Sequence, residues 1–126
     1  MQIHAPISVG ELIDKITILQ IKQDEFSDEV KLANVRNELR ELNKLAKNLS
    51  THIGEEMAEL RKVNAIIWAN EDNARQFSSD NWTAVEAFDI ATIAMETYAA
   101  NTRRAQLKKQ INEKCGSIIV EEKSYT

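Results

Sequence analysis

Three groups of charged side chains in this 126-residue sequence have residue types and spacings that support chemistry. The first is acidic: Glu55, Glu56 and Glu59, followed by Glu86 and Asp89. Carboxylates three or four apart share one face of a helix, and such oxygen ligands on two facing helices suit Mg²⁺. The second is basic: Arg103, Arg104, Lys108 and Lys109, close to Lys114, with Arg104 and Lys108 on one helical face. Such a face either complements a helix C-terminus and pairs with Glu121 and Glu122, or binds a phosphate or carboxylate, with Asn101 as a further donor. The third is polar in apolar surroundings: Glu11, Asp14 and Lys15 within a very apolar segment, and Asn64 and Glu71 on the apolar seam of another. Buried charges need partners, so Asp14, Lys15, Glu71 and Arg104 converging on one cleft would be a functional arrangement. The plainer reading of Asn64 is that it fixes register or oligomeric state.

Other chemistries are missing from the sequence. Two histidines, one cysteine and three glycines leave no zinc-finger spacing, P-loop or dinucleotide fingerprint. Cys115 lies next to an expected helix C-terminus, where the dipole works against a nucleophilic thiolate. A formal net charge of −4 argues against a dedicated nucleic-acid binder. No apolar run approaches the ~20 residues that span a bilayer, so no membrane partner is expected. A lone cysteine and the lack of a signal-peptide pattern point to the cytoplasm.

The elements that must position these groups are helices. Three glycines and one proline favour long helices in a single domain over residues 1–126. Ser8-Val-Gly-Glu11 is a capping-box pattern opening a helix to about Phe26, apolar nearly all round and so expected at the centre of the fold. A second helix runs from about Asp28 to Leu49, with Leu32, Val35, Leu39, Leu42, Ala46 and Leu49 as its seam. Ser50 or Thr51 caps a third, to about Gln76, with Ile53, Met57, Leu60, Asn64 and Ile67 on one stripe and Val63 and Ile66 on another. After turn chemistry at Ser78, Ser79 and Asp80, a fourth runs from about Asn81 to Cys115 and stops at Gly116. The expected fold is mainly α, about four helices in an antiparallel bundle. Period-two alternation over residues 1–9 and the β-like run 117–121 add a short two-stranded ribbon from the two termini.

The acidic pattern is similar to the Glu-Glu-x-x-Glu … Glu-x-x-Asp pattern of all-α nucleoside-triphosphate pyrophosphohydrolases, which hold Mg²⁺. A turn near residues 77–80 would set Glu59 opposite about residue 97 and Glu86 opposite about Glu71. That separates the clusters by roughly 16 Å, at ~1.5 Å per residue. No metal site is therefore expected, and a Mg site at Glu56, Glu59, Glu86 and Asp89 stands only as the alternative. A three-helix chorismate mutase is set aside, because the first helix lacks the arginine that holds a substrate carboxylate.

A broader resemblance rests on Gly10-Glu-Leu-Ile-Asp-Lys-Ile-Thr-Ile-Leu19, Leu32-Ala-Asn-Val-Arg36, Asn112, Gly116-Ser117 and Ile119-Val-Glu-Glu-Lys-Ser-Tyr125. Together these resemble an uncharacterised family of small proteins of bacteria and phages. The resemblance implies a mainly helical single domain and no particular activity. The first reading is then a self-associating helical interaction module, a dimer through the first or second helix. The alternative is an enzyme or binding protein for an anionic or phosphorylated small molecule, with Asp14, Lys15, Glu71, Asn101, Arg103, Arg104 and Lys108 as site residues. Mg-dependent nucleotide hydrolysis ranks third.

Overall fold

The computed structural model describes residues 1–49, 52–77 and 81–125. Within them the chain forms four helices: α1 (Val9–Glu25), α2 (Glu29–Ala46), α3 (Gly54–Ala74) and α4 (Ala84–Cys115). The architecture is mainly α, as expected from the sparse glycine and proline. The expected ribbon does not form, since no strand occurs among the described residues. The two ends do meet, but through side chains. The Val9 N–H donates to Ser117 Oγ at 3.1 Å, and the Ser8 hydroxyl donates to Glu121 at 2.5 Å. Those bonds cap the first turn of α1, so residues 8 and 9 are committed to a helix start and offer no ladder.

The helix boundaries follow their caps. Ser8 caps α1 by accepting from the Glu11 N–H at 3.0 Å, half of the expected capping box. The other half is absent because the Glu11 carboxylate pairs with Lys108. Asp28 caps α2. The proposed α3 caps Ser50 and Thr51 lie outside the described residues, as do Ser78, Ser79 and Asp80. α3 starts after Ile53 with no side-chain cap bond. α4 starts three residues later than expected, because Thr83 and Glu86 form a full capping box there. It ends at Gly116, whose positive φ of 61° suits a residue without a Cβ.

α1 is the hub, packing against α2, α3 and α4, while α2 packs on α1 alone. Its Ile13 and Ile16 join Leu60 of α3 and Leu107 and Ile111 of α4 in the most deeply buried core. Each such side chain contributes about 1.5–3 kcal/mol on burial. The α2 seam residues Leu32, Val35 and Leu39 are buried, whereas Ile66 of the second α3 stripe is half exposed. α3 and α4 run antiparallel, with Glu59 against Arg103 and Asn70 against Thr97. That register places Glu59 about six residues further along α4 than expected. α4 itself is unbroken through residues 97–102, where Thr97 and Thr102 donate to carbonyls one turn back.

Candidate functional site

The first turns of α1 meet the last turns of α4 at unusually close range. A Cβ on Gly10 would lie 2.5 Å from the Lys108 carbonyl oxygen and 2.9 Å from Asn112 Oδ1. Only glycine lets the two backbones approach this closely, and the Gly10 N–H uses the proximity to donate to Asn112 Oδ1 at 2.6 Å. One turn further along α1, this approach brings Asp14 level with Arg104.

Asp14 is 1% exposed and fully engaged. Arg104 grips it with two hydrogen bonds, Nε to Oδ1 at 2.9 Å and Nη2 to Oδ2 at 2.5 Å. Asn64 of α3 donates to Oδ1 at 2.9 Å and also to Thr17 Oγ1, itself tied to the Asp14 carbonyl. Lys108 Nζ lies 4.0 Å from Oδ2 and pairs with Glu11 at 2.6 Å. Burial pushes the Asp14 carboxyl up. The bonds from Arg104 and Asn64, with the charges of Arg104 and Lys108, outweigh that and hold it below its ordinary value of 3.8. The bonds from Arg104 to Asp14 in turn hold the guanidinium pKa above its ordinary value. Asn64 therefore serves as a clamp inside the chain, joining α3 to α1.

Two recesses open on either side of Arg104. The first, about 330 Å³, is lined by Asn101, Arg104, Ala105, Lys108, Lys123 and Tyr125. A narrower continuation shares Lys108 and Lys123 and reaches Lys109, Asn112 and Glu121. The C-terminal segment after Gly116 forms its outer wall, tied back by the bond from Ser8 to Glu121. The second recess, about 250 Å³, is lined by Ile18, Ile21, Ile67 and Trp68 with Lys22, Asn64, Glu71 and Arg104.

Of the residues expected from the sequence, Asp14, Glu71, Asn101, Arg104 and Lys108 come together here. Lys15 and Arg103 do not. Lys15 is exposed one step around α1 and lines neither recess. Arg103 points to Glu59 of α3, 2.6 Å away. Three residues of the site were not singled out in the sequence: Trp68, Lys123 and Tyr125. Lys123 and Tyr125 lie in the Ile119–Tyr125 motif, which is their signal in the sequence; Trp68 carries none.

The acidic set Glu56, Glu59, Glu86 and Asp89 is not gathered. Glu56 pairs with Lys114, Glu59 with Arg103, and Glu86 is spent on the α4 cap, while Asp89 is exposed. The hydrogen bond from Lys114, helped by its own backbone N–H, draws the Glu56 carboxyl below its ordinary range. Among the described residues no group of three or more Asp, Glu, His or Cys side chains is placed to hold a metal ion. Nor, among them, is any helix long and apolar enough to cross a membrane.

Over residues 3–126 the chain matches a family of unknown function (DUF6165), and it belongs to that family. No curated protein and no solved structure matches it.

Proposed function

We propose that this member of the family binds a small anionic molecule, a phosphate ester or carboxylate, in the recess between α4 and the C-terminal segment. The observation that carries the reading is the convergence of Arg104, Lys108, Lys123, Asn101 and Tyr125 on one opening. An inventory of donors supports it. Arg104 has five N–H groups and spends two on Asp14; Lys108 has three and spends one on Glu11. Lys123 has no ion-pair partner among the described residues. Asp14 and Glu11 thus hold two cations in place while leaving donors for a ligand, so little ordering entropy is lost on binding. The proposed setting is the cytoplasm of a bacterium or an infecting phage's host, supported by the sequence resemblance and the lone cysteine.

The test is titration of the purified protein with inorganic phosphate and, separately, with citrate, read by calorimetry and thermal shift. A ligand at 100 times its Kd stabilises the fold by about 2.7 kcal/mol when it binds the native state alone. Lys123→Ala, which breaks no described contact, should lower the affinity at least about tenfold, the scale of one charge-assisted hydrogen bond. Tyr125→Phe should lower it less. Unchanged affinity in Lys123→Ala would remove the recess from consideration.

A second reading, self-association, has its own support. The apolar residues of α1 and the central seam of α2 are buried within the chain, so the surface offered to a second copy lies elsewhere. Val85, Phe88, Met95 and Tyr98 of α4 stand exposed on one helical stripe. We propose this stripe, in place of α1 or α2, as the contact in a dimer. Sedimentation equilibrium of the wild type and Phe88→Glu tests it, and a wild-type monomer at all concentrations would exclude it.

A further inference from the structure

The chain has six arginines, and four of them reach a carboxylate: Arg61, Arg75, Arg103 and Arg104. The other two are Arg36 and Arg40, one turn apart on α2. Among the described residues Arg36 has no ion pair, and the Arg40 side chain bonds only to the neutral amide of Asn37, at 2.7 Å. Lys47 likewise has no carboxylate partner among them, and Lys44 has only the exposed Glu41, at 3.0 Å. All four cations line one open groove of about 340 Å³, together with Gln23 of α1, Asn43 and the buried Leu39. A step of about 100° per residue keeps Arg36, Arg40, Asn43 and Lys47 on a narrow stripe and sets Glu38 on the opposite face. The nearest acid on the stripe itself, Glu29, lies about 10 Å before Arg36 along the axis. The helix dipole accounts for Lys44 and Lys47 near the C-terminus, but not for two unpaired arginines in mid-helix.

We propose that this groove docks an acidic helical segment of another protein. Along the axis Arg36, Arg40 and Lys44 follow at intervals of about 6 Å, and Lys47 comes about 4.5 Å later. A partner helix with carboxylates four residues apart repeats at the same interval, so each cation meets its own carboxylate. The planar guanidinium fork holds a carboxylate through two parallel hydrogen bonds, a geometry that arginine supplies and lysine does not. The aliphatic stems of the same side chains give the partner helix a surface to lie on. Other polyanions fit less well. Among the described residues no aromatic side chain lines the groove, so the bases of a nucleic acid have no stacking platform, and a net charge of −4 repels a long phosphate chain. A helix lying in a membrane surface needs exposed apolar residues on its contact face, and those of α2, Val30 and Leu45, lie on other faces. The groove shares no residue with the recess beside the C-terminal segment, so this inference is independent of the anion reading.

The test is fluorescence anisotropy of a labelled alanine-based helical peptide with glutamate at every fourth position. The full chain should bind it saturably below about 1 mM, and should not bind the same peptide with glutamine in place of glutamate. Arg36→Glu with Arg40→Glu should weaken the binding at least about tenfold, since like charges then face each other. Lys15→Glu with Lys62→Glu makes the same change in net charge at exposed positions outside the groove, and should leave the affinity within about twofold. Circular dichroism of both double variants should match the wild type, because all four positions are exposed. Binding that survives Arg36→Glu with Arg40→Glu, or that the glutamine peptide matches, overturns the proposal. So does an absence of binding, or a groove-dependent preference for an oligothymidylate strand or for phosphatidylserine vesicles over the peptide.

Discussion

The two halves of α4 lie on one continuous helix and have opposite characters. In residues 100–115 five polar side chains are tied to other elements: Arg103 to Glu59, Arg104 to Asp14, Lys108 to Glu11, Lys114 to Glu56 and Asn112 to Gly10. Ala100, Leu107 and Ile111 are buried between them. In residues 84–99 none is buried, and Val85 and Phe88 are each 71% exposed. The difference follows from length. At ~1.5 Å per residue α4 is about 48 Å long and α1 about 26 Å, so α1 covers only the C-terminal half. Where three elements meet, charges can be buried because partners arrive from several directions. Where α3 alone lies alongside, apolar residues remain on the outer face, and the helix rests on its capping box and one packed side.

The largest effect that would test this contrast is at Asp14. Asp14→Ala leaves Arg104 and Asn64 without their acceptor and should cost about 3 kcal/mol, toward the low end for a buried pair because Arg104 keeps some solvent. Urea denaturation measures it, and a loss below about 1 kcal/mol would mean that the junction is no more than a surface pair. The same carboxylate gives the pH dependence. Its pKa is depressed in the folded chain, so its contribution is complete above the ordinary value of 3.8 and is lost as pH falls through the lower folded value. Stability of the wild type should therefore drop below about pH 4, where Asp14→Ala shows a flatter profile. Gly10→Ala comes next, at about 1–3 kcal/mol, since its Cβ meets backbone rather than a movable side-chain tip. In the distal half, Phe88→Ala should change monomer stability by less than about 0.5 kcal/mol. A larger loss would show that the stripe packs within the chain. Arg103→Ala, whose exposed pair with Glu59 is worth under about 1 kcal/mol, falls between Gly10→Ala and Phe88→Ala in a urea titration.

How much of this could be read from the residues varies with the range of the interactions. Ser8 as a cap, a helix start near Asp28, Gly116 as a stop and the Leu32–Val35–Leu39 seam are local signals, and all appear in the fold. α1 was recognisable as central because it is apolar nearly all round. That same evenness hid the direction in which its polar residues point, so Asp14 and Lys15 looked alike although only Asp14 faces α4. Arg103 and Arg104 are likewise adjacent in sequence, and a 100° step around the helix sends one to α3 and the other to α1. The alternation at both ends suggested strands. The cap bonds of Ser8, Val9 and Gly10, made to residues more than a hundred positions away, decided otherwise. The place of Lys123 and Tyr125 beside Arg104 was not legible, because nothing local ties the segment after Gly116 to α1.

The bond from Ser8 to Glu121 spans 113 positions, that from Gly10 to Asn112 spans 102 and the grip of Arg104 on Asp14 spans 90. Closing loops of this size carries an entropy cost that only the finished contacts repay. The α1–α2 and α3–α4 hairpins need far shorter closures, so in the order of folding they come first and the junction of α1 with α4 comes last. The recesses beside Arg104 are therefore absent from any partly folded form in which the two hairpins have not yet docked. An anion that binds there acts on the final step, slowing the parting of the two hairpins while leaving each hairpin's own formation unchanged.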